Sequence, residues 1–343
     1  MRRIALAVAF LVAPLAVAAC GGDGDAEAGG GDADLTVYSG RQEGLVGPLF
    51  ERFERETGLT VEVRYGESAE LAATIAEEGE NSPAEVLFAQ DPGSLGAVEL
   101  EGLLAPLPQN VLERVPARFR DPDGYWVGTS GRVRVLAYNT DALADDEVPD
   151  SVFELAKPVW KGRIGFPPTN ASFQAFVTAM RLSEGDERTR EWLEAIRAND
   201  PKLYENNIQT VEAIAAGEID LGLVNHYYLY LVKAERPGAP VANHFLSGRD
   251  PGALVSVAGV GIVAGAAGNE GAIRFVEFLL SDEGQRFYAE EAEEAEYPLV
   301  RGVEPREGLP PLERLGGPRI ELDELGPELE RTLELLSELG FTS

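Results

Sequence analysis

Beyond the first 33 residues, short β-rich segments alternate with segments whose apolar residues recur at helical spacing. The segment "LTVYSG" ends at Gly40, and the next segment places Leu45, Leu49 and Phe53 four residues apart before Gly58. Side chains four apart share one face of a helix, and glycine is common where a helix ends. The repeated alternation predicts an α/β fold, with a mostly parallel sheet covered by helices on both faces.

A second set of alternating segments follows the stretch "YWVGTSGRVRVLAYNT". Two α/β units joined by extended segments enclose a cleft, and ligands of open sheets bind beyond the carboxyl ends of the strands. We expect the two connections at residues 129–137 and 254–263. The predicted units are an N-terminal lobe of residues 34–131 and 258–306 and a C-terminal lobe of residues 132–257 and 307–343.

The N-terminus has the pattern of an export signal. A basic start, "MRR", precedes the apolar run "IALAVAFLVAPLAVA", which is too short to span a bilayer and ends in small residues before Cys20. This pattern predicts a signal peptide over residues 1–19 and a lipid attached to Cys20, as in bacterial lipoproteins; an ordinary secreted protein is the alternative. Residues 20–33 are rich in glycine and acidic residues and are predicted to tether the lipid to the folded body. The protein is therefore expected outside the cytoplasm, anchored to a membrane at the cell surface or in the periplasm.

Charge and motifs exclude several classes of function. The 29 basic and 59 acidic residues give a net charge of −30, which disfavours nucleic acid and anionic membranes as partners. With two histidines and one cysteine, the chain has few ligands for a conventional zinc site. No nucleophile elbow or phosphate-binding loop follows a predicted strand. We therefore expect a binding protein rather than an enzyme.

The segment "PPTNASFQAF" is the best candidate for an anion site. Thr169 or Asn170 can cap the predicted helix, and the N–H groups that follow point outward at the positive end of its dipole. The residues alone leave open that this is a helix start that needs only its cap.

The segment "VNHYY", which follows a buried strand, is the best candidate for a metal site. A tyrosine is neutral at ordinary pH, but a trivalent hard metal displaces the phenolic proton and binds the oxygen. Two tyrosines in the first turn of a helix can converge on one ion, so Tyr227 and Tyr228 are predicted ligands. Simple aromatic packing is the alternative.

The combination of several segments resembles the ferric-ion-binding lipoproteins of bacterial ABC importers. These segments are "LTVYSGR", "GESAELAATIAEEGENSPAEVLFAQ", "SGRVRVLAYN", "PPTNASFQAF", "VNHYYLY", "LLSDEGQRFYAEE" and "EYPL". The resemblance covers almost the whole exported chain. It implies a two-lobed type II periplasmic binding-protein-like fold with two crossover strands and a central ligand cleft. It also implies Fe³⁺ as cargo, with carbonate or phosphate as a synergistic anion.

The resemblance assigns roles to particular residues. It implies iron ligation by Tyr227 and Tyr228 and an anion cradle formed by Thr169, Asn170, Ala171 and Ser172, with Asn207 and Asn225 as further donors. Gln42 and Gln90 stand where some members have a histidine and a glutamate ligand, so familiar ligands are missing. We therefore expect exogenous anions to complete the iron shell, with Arg41 pairing to one of them. Glu67, Asp91 and His226 are lesser candidates for contact with the metal.

The resulting hypothesis is a monomeric receptor that binds ferric iron with an anion and delivers it to the permease subunits of an ABC importer. The alternative is a receptor of the same fold for another small solute, such as an oxyanion, a polyamine or a sugar phosphate. In that alternative the tyrosines would stack on the ligand or hydrogen-bond to it.

Overall fold

The structure is a computed structural model that describes residues 33–292 and 294–342. The predicted signal peptide, Cys20 and all but the last residue of the predicted tether lie outside the described residues. Within the described part of the chain, no helix has both the length and the apolar character needed to cross a membrane.

Strands and helices alternate along most of the described chain. The strands are β1 (Leu35–Ser39), β2 (Val61–Tyr65), β3 (Val86–Ala89), β4 (Leu104–Ala105), β5 (Trp126–Asn139), β6 (Ile164–Phe166), β7 (Lys202–Leu203), β8 (Leu221–Asn225), β9 (Val241–His244), β10 (Val255–Val263) and β11 (Tyr297–Pro298). The helices are α1 (Glu43–Thr57), α2 (Ser68–Glu78), α3 (Pro92–Leu100), α4 (Gln109–Leu112), α5 (Ala171–Glu184), α6 (Asp186–Ala198), α7 (Asn207–Ala215), α8 (Tyr228–Glu235), α9 (Glu270–Leu279), α10 (Asp282–Arg286) and α11 (Leu329–Glu338). One π-helical turn, Phe287–Glu291, continues α10.

The strands form two groups that share β5. In the first group β1 is parallel to β2 and β3, and β10 lies antiparallel to β3, β4 and β5. In the second group β6 is parallel to β7 and β8, while β5 is antiparallel to β8 and β9. The sheet is therefore mixed, because the strands that join the two groups run antiparallel to their neighbours. The prediction of a mostly parallel sheet holds only for the outer strands.

The long strand β5 is the connection predicted at residues 129–137. Its residues 126–133 pair with β10 in the first group, and its residues 134–138 pair with β8 in the second. The other connection enters the first group through a short 3₁₀ turn, Pro251–Ala253, and β10 then lies wholly within that group. The glycine-rich segment "GVGIVAGAAG" supplies the end of β10 and continues into a 3₁₀ turn, Ala264–Ala266.

Two aromatic clusters mark the cores of the two groups. In the first, the ring of Phe50 stacks on that of Phe275 with centroids 5.2 Å apart, while Phe53 meets Phe275 edge-on. In the second, Phe166 stacks on Phe173 with centroids 4.7 Å apart. All five side chains are at least 95% buried, and aromatic pairs of this geometry stabilise a core beyond the area they bury.

The starts and ends of the first helices follow the sequence in part. Helix α1 ends at Gly58 as predicted, because this glycine adopts a left-handed φ of 73°. Helix α2 begins at Ser68 with Glu67 at the cap position, and the Ser68 hydroxyl accepts the backbone N–H of Gln90 at 2.8 Å. Ser68 thereby joins the start of α2 to the end of β3.

Candidate functional site

The two adjacent tyrosines meet at the start of α8. The strand β8 ends at Asn225, and Tyr227 already has helical dihedral angles, with φ of −73° and ψ of −21°. A helical turn, unlike a strand, does not send neighbouring side chains to opposite faces. The rings therefore lie with centroids 4.3 Å apart, and the Tyr227 hydroxyl donates to the Tyr228 hydroxyl at 3.1 Å. The structure thus brings the two predicted ligand oxygens to one point.

The surroundings of Tyr227 hold its phenol in the neutral form. Its side chain is 5% exposed, whereas Tyr228 is half-buried. Burial raises the pKa of Tyr227 well above its usual range, and the nearby Tyr228 and Glu294 raise it further. Only a strongly charged cation next to these oxygens can displace the proton, so the pair is suited to a hard, highly charged ion.

His226 is fixed in the structure and does not face a ligand. Its Nδ1 accepts the Val133 N–H at 3.3 Å, its Nε2 donates to the Ala295 carbonyl at 3.0 Å, and its own carbonyl accepts from Asn243 at 2.7 Å. Burial lowers the pKa of His226 to about 4, so the ring is neutral at physiological pH. Because both ring nitrogens are occupied, the expectation that His226 contacts the metal is wrong in this structure. Its role here is to hold the segment that carries Tyr227.

The predicted anion cradle is rich in hydrogen-bond donors. Asn170 caps α5, and its Oδ1 accepts from the Ser172 N–H at 3.0 Å, the Ser172 hydroxyl at 2.6 Å and the Asn207 side-chain amide at 2.9 Å. The Oδ1 of the fully buried Asn207 has no partner among the described residues. Thr169 and Ala171 are exposed beside this cluster. Several donors therefore converge on one neutral oxygen, an arrangement that also suits an anionic oxygen.

Arg134 joins the cradle to the end of β8. It lies opposite Asn225 in the pairing of β5 with β8. Its Nη1 donates to the Ser172 hydroxyl at 2.9 Å and to the Asn225 side-chain oxygen at 3.2 Å, and its Nη2 donates to the Leu223 carbonyl at 2.6 Å. The guanidinium group of Arg134 thus belongs to one connected hydrogen-bond network, which includes Asn225, Ser172, Asn170 and Asn207.

The charge of Arg134 acts on the tyrosine pair. Burial lowers the pKa of Arg134 to about 9, although Tyr228 and Tyr227 partly oppose this shift, so the side chain stays protonated at neutral pH. It is 2% exposed, and its Nε has no partner among the described residues.

Sequence reasoning did not single out Arg134. The available signal was a pair of arginines, Arg132 and Arg134, two apart and so on one face of an otherwise apolar strand.

Arg41 does not serve the anion cradle. Its guanidinium is fully buried and forms a bidentate pair with Glu296, with Nη2–Oε2 at 2.7 Å and Nη1–Oε1 at 3.3 Å. Ser130 donates to the same carboxylate at 2.7 Å, and Arg132 lies 3.8 Å from it. The expectation that Arg41 pairs with an exogenous anion is therefore wrong in this structure, because its charge is neutralised within the protein.

The remaining candidates lie at helix starts in the first strand group. Asp91 caps α3, accepting the Ser94 N–H at 2.9 Å and its hydroxyl at 3.0 Å, so its carboxylate is used for capping rather than for a metal. Gln90 is half-buried at the end of β3, and its carbonyl accepts from Arg132. Gln42 and Glu67 are exposed at the cap positions of α1 and α2, where neither side chain bonds to its helix.

The described residues offer no conventional metal cluster. Within 33–292 and 294–342, no three histidine, cysteine, aspartate or glutamate side chains are grouped so that they could hold an ion. The tyrosine pair supplies two oxygens at one point of this part of the protein.

Comparison with known proteins places this geometry in context. Residues 81–311 match a family model described as bacterial extracellular solute-binding protein. The chain is 31% identical over 318 residues to the Fe(3+)-binding periplasmic protein of Serratia marcescens, covering 92% of this chain and 93% of that protein.

Two solved structures extend the similarity. Iron-bound HitA from Pseudomonas aeruginosa is 34% identical, with a TM-score of 0.79 over 89% of this chain and 99% of its own. The Trichodesmium protein IdiA (FutA), solved with iron and citrate ligands, is 30% identical, with a TM-score of 0.80 over 90% of this chain and 99% of its own. The two-lobed type II periplasmic binding-protein fold is thereby confirmed. The chain belongs to the family of bacterial extracellular solute-binding proteins.

Proposed function

We propose that this protein is an extracytoplasmic receptor that binds ferric iron together with an anion and delivers it to the permease of an ABC importer. The observation that carries the proposal is the 3.1 Å contact between the hydroxyls of Tyr227 and Tyr228 at the start of α8. Relatives over nearly the full chain are named for ferric iron binding, and they are binding and transport proteins rather than enzymes.

The chemistry of binding follows from charge. Each phenol loses a proton when Fe³⁺ binds, so two phenolates balance two of the three charges of the ion. Arg134 and the donors of Ser172 and Asn207, which bond here to Ser172 and Asn170, can then hold an anion beside the metal. Carbonate and phosphate are small anions with several acceptor oxygens, and we propose one of them as the synergistic anion.

We propose that the two strand groups are the lobes that close on the cargo. Their predicted boundaries are residues 34–131 with 258–306 and residues 132–257 with 307–343. The shared strand β5 then acts as a hinge, because it pairs with both groups. We further propose that the protein is a monomer anchored outside the cytoplasm by a lipid on Cys20. Mass analysis of the membrane-extracted protein and of its Cys20→Ser variant tests for this lipid.

The main experiment compares tyrosine variants loaded with iron. Tyrosinate bound to Fe³⁺ absorbs visible light, so the wild type should be coloured and contain about one iron per chain. Tyr228→Phe should lose the band and bind iron at least about 100-fold more weakly, since even outer-shell substitutions cost about 10- to 100-fold. Tyr230→Phe changes a tyrosine two residues further along the same helix. It is the control and should keep both the visible band and the wild-type iron affinity. A colourless iron-loaded wild type contradicts the proposal.

The anion is tested by titrating iron with carbonate and phosphate removed and then restored. We expect affinity to fall on removal and to recover with the anion that fits the cradle. Equal affinity under both conditions contradicts the proposed anion.

A further inference from the structure

The end of the π-helical turn Phe287–Glu291 is bound by a side chain from further along the chain, Arg306. The last carbonyl groups of a helix have no partner within it, and basic side chains commonly bind them. The Nε of Arg306 donates to the Ala289 carbonyl at 3.2 Å. Its Nη2 donates to the carbonyls of Glu290 at 3.1 Å and of Ala292 at 2.7 Å. Three hydrogen bonds therefore fix the orientation of the guanidinium group.

The fixed guanidinium of Arg306 lies over the ring of Tyr230 in α8. Its Cζ is 5.5 Å from the centre of that ring, and both side chains are half-buried. At this distance a cation is attracted to the face of an aromatic ring. The π-helical turn packs on β11, which pairs with residues 130 and 131 of β5, in the half that belongs to the first strand group. Because α8 follows β8, the contact joins the first strand group to the second.

Another contact joins the same two groups on the other side of the tyrosine pair. The Ala295 carbonyl, two residues before β11, accepts from His226 Nε2 at 3.0 Å. His226 precedes the pair, whereas Tyr230 follows it and donates its N–H to the Tyr227 carbonyl at 2.9 Å. The segment that carries the two phenols is therefore held to the first strand group both before and after them.

We propose that Arg306 is a positioning residue that slows the release of ferric iron by holding α8 against the first strand group through the ring of Tyr230. The inference rests on the proposed function. Iron held by the tyrosine pair leaves when the two strand groups separate. Separation beside α8 breaks the contact between Arg306 and Tyr230, so this contact adds to the barrier for release. Arg306 gives no atom to the metal and acts only through the helix that carries the ligands.

The test measures how fast iron leaves the loaded protein. Wild type, Arg306→Met and Tyr230→Leu are mixed with excess EDTA, and the decay of the tyrosinate band is followed. Each variant should release iron about two- to fivefold faster, the range expected for a cation–π contact that is partly exposed. The wavelength of the band should not change, because neither residue is a ligand. Tyr230→Phe keeps the ring, and Arg301→Met removes an exposed arginine of the same segment. Both controls should release iron at the wild-type rate.

The double variant tests whether the two residues act through one contact. Arg306→Met combined with Tyr230→Leu should release iron no faster than either single variant, because each already removes the contact. Effects that multiply in the double variant contradict the inference, as do wild-type rates in both single variants. If Arg306→Met fails to fold because three carbonyls lose their donor, Tyr230→Leu leaves those bonds intact and decides the question against Tyr230→Phe. A wild-type protein that binds iron without a tyrosinate band contradicts the proposed function and this inference with it, whereas unchanged release rates leave the proposed function standing.

Discussion

Polar residues around the tyrosine pair differ between the two strand groups. In the second group, Arg134 donates to Asn225 and Ser172, and Asn207 donates to Asn170. Buried polar atoms of Arg134 and Asn207 have no partner in the described chain. In the first group, Arg41 and Asp91 bond to Glu296 and Ser94, although the Nε of Arg41 also has no partner among the described residues. The difference therefore lies in charge. The charge of Arg41 is neutralised by a buried carboxylate and stabilises the fold, whereas Arg134 donates only to neutral groups and keeps a charge that can pair with an anion.

The largest effect that tests this comparison is the loss of stability in Arg41→Met. The substitution leaves the buried Glu296 with only Ser130 and the more distant Arg132, and removing one partner of a buried ion pair costs about 3–5 kcal/mol. Urea denaturation measures the change. The remaining folded protein should keep the wild-type visible band per bound iron, since Arg41 does not face the cradle.

Arg52→Met is the matched control for Arg41→Met. Arg52 pairs with Glu291 at the surface, where that carboxylate is 48% exposed, so the substitution should cost less than about 1 kcal/mol. Equal losses in the two variants contradict the structural role assigned to the Arg41–Glu296 pair.

The next largest effect concerns Arg134, in the second strand group. Arg134→Met removes the cation of the cradle and should lower iron affinity by about 10- to 100-fold when carbonate or phosphate is present. Without either anion the loss should be much smaller, because Arg134 acts through the anion. Arg134→Lys restores the charge but not the forked geometry, so it should recover affinity only in part.

The dependence on anion separates binding from folding for Arg134. The variant also leaves the Leu223 carbonyl and the Asn225 side chain without their donor, which costs about 1–3 kcal/mol. An affinity loss that is the same with and without anion would mean that Arg134 only supports the fold.

The sequence predicted those features that depend on local patterns. The strand–helix alternation, the tyrosines at a helix start and the cap at Asn170 are each encoded within a few residues, where periodicity and capping chemistry are visible. Arg41 and Glu296 are 255 positions apart. Their pairing depends on how the chain closes around β5, and no local pattern expresses it.

The two errors about Arg41 and His226 share this cause. Each residue lies within a segment that carries the family resemblance, and each instead bonds to a distant partner, Glu296 or Ala295. Arg134 was missed for the converse reason. It lies inside an apolar strand with nothing functional beside it in sequence, and only the pairing of β5 with β8 brings it to Asn225.

The smallest effect concerns Asp91, which follows Gln90 at the end of β3. Because its carboxylate caps α3 through Ser94, Asp91→Ala should lower the free energy of unfolding by about 1 kcal/mol, the usual cost of a lost N-cap. Iron affinity should change less than about twofold, within the range expected for a residue outside the site. Asp91→Asn keeps the capping oxygen and should restore most of the stability. A tenfold loss of iron affinity with unchanged stability would instead make Asp91 a ligand, and the first strand group would then supply part of the metal shell at the position where the structure shows a helix cap.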